Sequence, residues 1–216
     1  MISFDSVTKV YNVKNVRKLI LDEVTFVFAD KRNIAVMGHN GAGKSTLMRM
    51  LAGIEPATSG RIKRDEKVSW PMGFSAGFNG TMTGVENARF VARIYNEDTE
   101  RLLEKVQDFA ELGKSLDLPI STYSSGMKAR LAFGLSLAVN FECYLIDEIT
   151  AVGDRRFKMK SEAALKDKIR DARVIMISHS EKTIRDYCDS GVLVYGSKLY
   201  FYEDLDALIS DYRKFC

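Results

Sequence analysis

The stretch Gly38-His39-Asn40-Gly41-Ala42-Gly43-Lys44-Ser45-Thr46 decides the fold. It fits the pattern G-x-x-x-x-G-K-[ST], with Gly38, Gly43, Lys44 and Ser45 at the required positions. Its flanks agree. Asn33 to Met37 (NIAVM) reads as a short buried strand and Lys44 to Ala52 (KSTLMRMLA) as the first turns of a helix. Strand, glycine loop and helix start, in that order, make a unit that cradles polyphosphate. Gly38, Gly41 and Gly43 let the backbone come close to a bulky anion. Loop N–H groups and the helix N-terminus supply partial positive charge there. Lys44 adds a full charge for β- and γ-phosphates, and Ser45 a hydroxyl for Mg²⁺. The competing reading, a glycine-rich turn followed by a chance Lys-Ser, leaves the strand and the helix unexplained. A nucleoside triphosphate is the expected ligand.

Composition bounds the rest. The 216 residues suffice for one large domain with a sizeable core. With 46% hydrophobic and 28% charged residues, the chain is an ordinary globular protein. Its net charge of +3 is small against 32 basic and 29 acidic residues. Basic groups such as Arg61, Lys63, Arg64 and Lys67 are interleaved with acidic ones, so a solvated surface is expected and no nucleic-acid partner. Cys143, Cys188 and Cys216 have no metal-site spacing, and Cys143, in an apolar run, reads as a small core residue in a reducing compartment. The opening MISFDSVTKVY reads as a charged strand rather than a signal peptide. No apolar run is long enough to span a bilayer.

Outward from the loop, Ile2 to Val10 reads as an edge strand and Leu19 to Phe28 as another, joined by a basic loop, Asn12 to Lys18. Tyr11 closes the first strand. It is either a core aromatic or a stacking platform for a nucleobase. Short strands follow at Gly60 to Lys63 and Lys67 to Trp70. Pro71 to Gly84 (PMGFSAGFNGTMTG) is a loop whose glycines alternate with apolar side chains, as a docking or switching surface would require. Helical periodicity then covers Val85 to Tyr95, Asp98 to Leu112 (with Gly113 as terminator) and Met127 to Val139. Alternation of strand and helix resumes with strands at Glu142 to Ile146 and Val174 to Ile177, and helices at Arg155 to Arg170 and Glu181 to Tyr187. A hairpin around Gly196 and a helix from Glu203 to Lys214 close the chain.

Three further constellations carry chemistry. Phe141 to Glu148 (FECYLIDE) is an apolar strand ending on two carboxylates, expected beside the loop strand. There Asp147 faces Mg²⁺ and Glu148 the water that attacks the γ-phosphate; the alternative is an acidic pair capping a strand. Ser124, Ser125 and Gly126 open a helix and present a hydroxyl and N–H groups, as a simple N-cap also does. His179 follows a buried strand, where a histidine is either structural or within reach of the γ-phosphate.

This ordered set resembles the ATP-binding subunit of an ABC transporter, and the resemblance covers essentially the whole chain. Tyr11 matches that family's aromatic loop, GHNGAGKST its Walker A motif and CYLIDE its Walker B motif. YSSGM stands where the family has its LSGGQ signature, AVGD (Ala151 to Asp154) resembles the D-loop, and His179 the switch histidine. The segment from Val68 to Tyr95, the TYSSGM form of the signature and DEITAVGD resemble the subfamily that exports capsular polysaccharide. Relatives that export O-antigen or teichoic acid commonly carry an extra C-terminal domain, which is not expected in this chain. There are departures. Ser125 and Met127 replace the signature's first glycine and its glutamine, and the Q-loop glutamine is missing, Gln107 being the only Gln. Its place falls within Gly73 to Asn79, with Asn79 and Ser75 as candidate substitutes.

The resemblance implies an α/β P-loop NTPase core, a mostly parallel sheet flanked by helices. To it are added an N-terminal antiparallel β subdomain and an inserted α-helical subdomain over about residues 84–139. It implies ATP and Mg²⁺ as ligands. ATP would meet Tyr11, Gly38, Asn40, Gly41, Ala42, Gly43, Lys44, Ser45 and Thr46 of one chain and Ser124, Ser125 and Gly126 of a second, with Asp154 coupling the two sites. Ser45 and Asp147 would hold the metal, and Glu148 and His179 would act in hydrolysis. The expected partners are a second copy of the chain and a membrane-spanning permease that makes most of the contacts with the polysaccharide. That places the chain peripherally, on the cytoplasmic face of the inner membrane. An ABC ATPase for O-antigen or teichoic acid export is the first alternative; a soluble ABC protein acting on ribosomes or DNA, and a P-loop kinase, are the others.

Overall fold

In the computed structural model, which describes residues 1–13, 16–29, 31–72, 77–147 and 155–216, the chain opens on two long antiparallel strands, β1 (Ile2–Val13) and β2 (Val16–Phe28). β3 (Ile34–Met37) leads through the glycine loop into α1 (Lys44–Leu51). β4 (Ser59–Arg64) and β5 (Val68–Pro71) follow, then α2 (Gly84–Ile94), α3 (Thr99–Ala110) and α4 (Ser125–Ala138). The last third comprises β6 (Cys143–Asp147), α5 (Arg155–Lys168), β7 (Arg173–Ile177), α6 (Glu181–Tyr187), β8 (Ser190–Tyr195), β9 (Lys198–Tyr202) and α7 (Leu205–Phe215).

Two sheets result. The first has the order β2-β1-β4 and is antiparallel throughout. β1 is therefore central, not the expected edge strand, because β4 arrives from beyond α1 to pair with its second side. The expected loop from Asn12 to Lys18 is also largely ladder, with Tyr11 opposite Lys18, Asn12 opposite Arg17 and Val13 opposite Val16. The second sheet has the order β5-β6-β7-β3-β8-β9 and is parallel except for the β8–β9 hairpin, as an α/β core requires. At that hairpin Gly196 and Ser197 both take positive φ (54° and 61°), the mirror-image turn that suits the twist of two strands. The strand ending on Asp147 was expected beside the loop strand; instead β7 lies between them.

By contact the chain divides into two units. The first comprises Met1–Pro71, Glu142–Ile149 and Ala172–Cys216. In its core Leu47, Met48, Met50 and Leu51 of α1 meet Phe4 and Val7 of β1 and Ile34, Val36, Ile175 and Val192 of the parallel strands in one apolar cluster. Burying each such side chain contributes about 1.5–3 kcal/mol. Cys143 belongs to this core as expected, and burial pushes its thiol up to about 12. At the opposite end of the parallel strands Arg173 forms a buried ion pair with Glu66, with Nε donating to Oε2 at 3.0 Å.

The second unit comprises Met72–Phe141 and Thr150–Asp171. α2 begins with a reciprocal cap between Thr83 and Glu86. α3 ends at Ala110 rather than Leu112. Glu111, not the expected Gly113, takes the left-handed C-cap position, with φ 52°. Lys160 of α5 donates to the carbonyls of Asp108 and Phe109 and to the Glu111 carboxylate, closing the end of α3. Asn79 spends its side-chain oxygen on the N–H and hydroxyl of Thr81, so it is committed to its own turn. Ser75 lies outside the described residues.

Candidate functional site

Register across the parallel sheet brings the sequence's separate motifs to one edge. Asp147, the last residue of β6, is opposite Ile177, the last of β7, and Ile177 is opposite Val36 of β3. The three strands thus end side by side. Asp147 stays at the end of one, Ser178 and His179 continue the next, and Gly38 opens the loop after the third. The carboxyl edge of such a sheet is where open α/β folds place ligands.

A cavity of about 350 Å³ sits at this edge. Tyr11, Asn40, Gly41, Gly43, Lys44, Ser45, Thr46, Asp147 and His179 all line it, together with Lys18, Ile20 and Ile177. Two glycines are demanded by sterics. Gly43 has φ 104°, and a Cβ there would come within 2.4 Å of Ile20 Cγ2. A Cβ on Gly38 would come within 2.6 Å of the Val194 carbonyl oxygen. Ala42 is not part of the lining and packs partly buried against the core. Lys44 donates to the carbonyls of Gly38 at 2.7 Å and His39 at 3.1 Å, which ties the loop into a ring. N–H groups at a helix start, an ammonium and a hydroxyl in one concavity are the donors a triphosphate needs. Ser45 and Asp147 add two hard oxygen ligands, the type Mg²⁺ takes.

Tyr11 enters this cavity from β1, and its hydroxyl is tied to α1 and the turn beyond. It donates to Glu55, accepts from Arg49 Nη2 at 3.2 Å and lies 3.4 Å from Thr46 Oγ1. Lys18, Ile20 and Ile177 were not singled out from the sequence. Lys18 is exposed on β2, with its Nζ close to Gly41. Its one available signal was its place in the basic stretch opposite Tyr11.

Comparison with known proteins agrees with the geometry. A family model described as ABC transporter matches residues 21–151. The chain is 45% identical over 213 residues, 99% of each chain, to the capsule polysaccharide export ATP-binding protein CtrD of Neisseria meningitidis serogroup B. It is 46% identical over 220 residues, again 99% of each, to the polysialic acid transport ATP-binding protein KpsT of Escherichia coli. The chain belongs to the ABC transporter family. As an ABC ATPase it binds ATP. The teichoic acids export ATP-binding protein TagH of Staphylococcus haemolyticus is more distant, 34% identical over 94% of this chain and 78% of its own length. The fold is that of solved cassettes. One, an ATP-binding subunit of an ABC transporter, superposes with a TM-score of 0.73 at 19% identity, covering 100% of this chain and 94% of the other.

Within this ABC fold the signature residues belong to the second unit. α4 begins at Ser125, two residues earlier than expected, and Ser124 is its N-cap, its hydroxyl accepting from the Met127 N–H at 3.2 Å. Ser124 and Ser125 are exposed. After a half-buried turn from Gly126 to Arg130, α4 is buried without interruption from Leu131 to Ala138, so its exposed end is held by a fixed helix. Glu148 and Asp154 lie outside the described residues, as does the whole AVGD stretch. Among the described residues no helix is long and apolar enough to cross a membrane.

Proposed function

We propose that the chain is the ATP-binding and hydrolysing subunit of a capsular polysaccharide exporter, working at the cytoplasmic face of the inner membrane against a membrane-spanning permease. The observation that carries this reading is full-length identity of 43–46% to ATP-binding proteins named for capsule or polysialic acid transport, or BexA, against 34% for the teichoic acid protein. The site supports it by gathering a P-loop, Asp147 and His179 around one cavity.

In the proposed mechanism the loop N–H groups and Lys44 neutralise the triphosphate, and the Lys44 ammonium exchanges its carbonyl partners for phosphate oxygens. Ser45 and Asp147 would hold Mg²⁺, which would supply positive charge to offset the triphosphate. Tyr11 carries the base. Glu148 orients the attacking water and His179 donates to the γ-phosphate. Two copies face each other head to tail, so that Ser124, Ser125 and Gly126 of one close over the nucleotide on the other, while Asp154 links the two sites. Hydrolysis lets the copies part, and the glycine-rich segment after Trp70 passes that motion to the permease. The polysaccharide is contacted mainly by the permease.

The test is Glu148→Gln. ATP binding should persist while hydrolysis falls by about 10²-fold or more, and an ATP-dependent dimer should accumulate. Unchanged hydrolysis would remove Glu148 from the mechanism. Co-expression with the permease should carry the chain to the membrane fraction. A chain that stays soluble and co-sediments with ribosomes would favour the alternative reading.

A further inference from the structure

Beneath Tyr11 lies a charged network that phosphate chemistry does not use. Its centre is Glu55, in the turn after α1. Lys9 of β1, itself buried, places Nζ 2.8 Å from Glu55 Oε1 and donates to the Pro56 carbonyl at 2.9 Å. The Tyr11 hydroxyl donates to the same carboxylate oxygen. Arg49 Nε donates to the other oxygen at 2.9 Å, and Arg49 Nη2 reaches both Tyr11 and Thr46 at 3.2 Å. The Lys9 ammonium also lies 4.9 Å from the centre of the Tyr11 ring. Tyr11 lines the cavity and Lys9 does not, so the ammonium is not what the cavity meets.

A sequestered carboxylate with three partners is a costly way to fill space, and apolar side chains of the same volume are often no less stable. What this arrangement gains is position. An aromatic ring on a strand can swing about its χ angles. Here its hydroxyl end is fixed by Glu55 and one flank is covered by Lys9. Arg49 and Thr46 belong to α1, the helix that opens on Lys44 and Ser45. We propose that Glu55 is a positioning residue for nucleotide binding, holding the Tyr11 ring at a set place relative to the phosphate loop so that it is ready to stack on the base. This rests on the reading of the cavity as an ATP site with Tyr11 as its base platform. Burial alone would raise the Glu55 carboxyl. Hydrogen bonds from Lys9, Tyr11 and Arg49 and the Lys9 charge outweigh burial and bring it down to about 2, so the anchor stays ionised at working pH.

The test uses the full chain and two probes, ATP and inorganic tripolyphosphate, which has no base to stack. Glu55→Gln should weaken ATP binding about tenfold, a part of what base stacking on an aromatic ring contributes, and leave tripolyphosphate affinity unchanged. Tyr11→Phe keeps the ring and loses its tether, and should do the same. In a Tyr11→Ala background, Glu55→Gln should add nothing. The proposal is overturned if Tyr11→Phe binds ATP as the wild type does, if the Glu55 and Tyr11 effects simply add, or if tripolyphosphate binding falls as far as ATP binding. Should Glu55→Gln fail to fold, Tyr11→Phe, with the carboxylate intact, decides alone. A wild-type chain that binds neither probe, or a Lys44→Ala chain that binds ATP undiminished, would refute the nucleotide-site reading instead.

Discussion

At the scale of single residues, Gly43 is the most constrained position of the loop. Its φ of 104° is costly for any side chain, and a methyl group would collide with Ile20 Cγ2, which β2 holds in the core. Gly43→Ala should therefore lower stability by about 1–3 kcal/mol, seen as a lower thermal midpoint, and should abolish ATP binding by moving the N–H groups beside it. The glycine itself was legible because its motif is local: nine consecutive residues state the spacing. What it packs against was not. That neighbour, Ile20, comes from β2, and nothing in its own sequence neighbourhood points to a phosphate. The Lys9–Glu55–Tyr11 network needs β1 and the turn after α1 to converge, so from the sequence Lys9 is one more charge on an amphipathic strand.

At the scale of elements, α4 carries two demands at its N-cap. The Ser124 hydroxyl caps the helix within the single chain, while the proposed dimer asks it to face phosphate. Asp caps helices about as well as Ser but presents a carboxylate. Ser124→Asp should keep the thermal midpoint within a few degrees, whereas ATPase activity should fall at least tenfold through repulsion of the triphosphate. Loss of stability without loss of turnover would leave Ser124 as a cap only. Element types were read from apolar period, and they hold because α2, α3 and α7 each bury one face while the parallel strands bury both; α4, buried all round from Leu131 to Ala138, is the exception. Ends and neighbours were less legible. Glu111 stops α3 because Lys160, 49 residues further on, binds its carboxylate and the last carbonyls of the helix. No local signal reveals that β4 would complete the first sheet, or that β7 would come between β3 and β6, since both are pairings between distant segments.

At the scale of the whole molecule, the proposed sharing of a site between two copies makes a prediction that no single-chain enzyme would meet. A chain carrying Lys44→Ala has an intact signature, and one carrying Ser124→Arg an intact loop. Each alone should be inactive. Mixed, they form one complete site per heterodimer, and hydrolysis should rise above either variant alone in a steady-state phosphate-release assay. No rise on mixing would count against the head-to-tail arrangement. The order β5-β6-β7-β3-β8-β9 bears on something else, the biography of the chain as it is made. β3 leaves the ribosome early, yet both strands that flank it, β7 and β8, are encoded beyond residue 172. Translation at about 5–20 residues per second leaves the phosphate loop on an unpaired strand for on the order of ten seconds. Until β7 emerges, the loop lacks Ile177 and His179, which line its cavity in the finished fold. The apolar β3 is exposed to chaperones for that interval, and a pause in translation before β7 would prolong it more than a pause anywhere after β8.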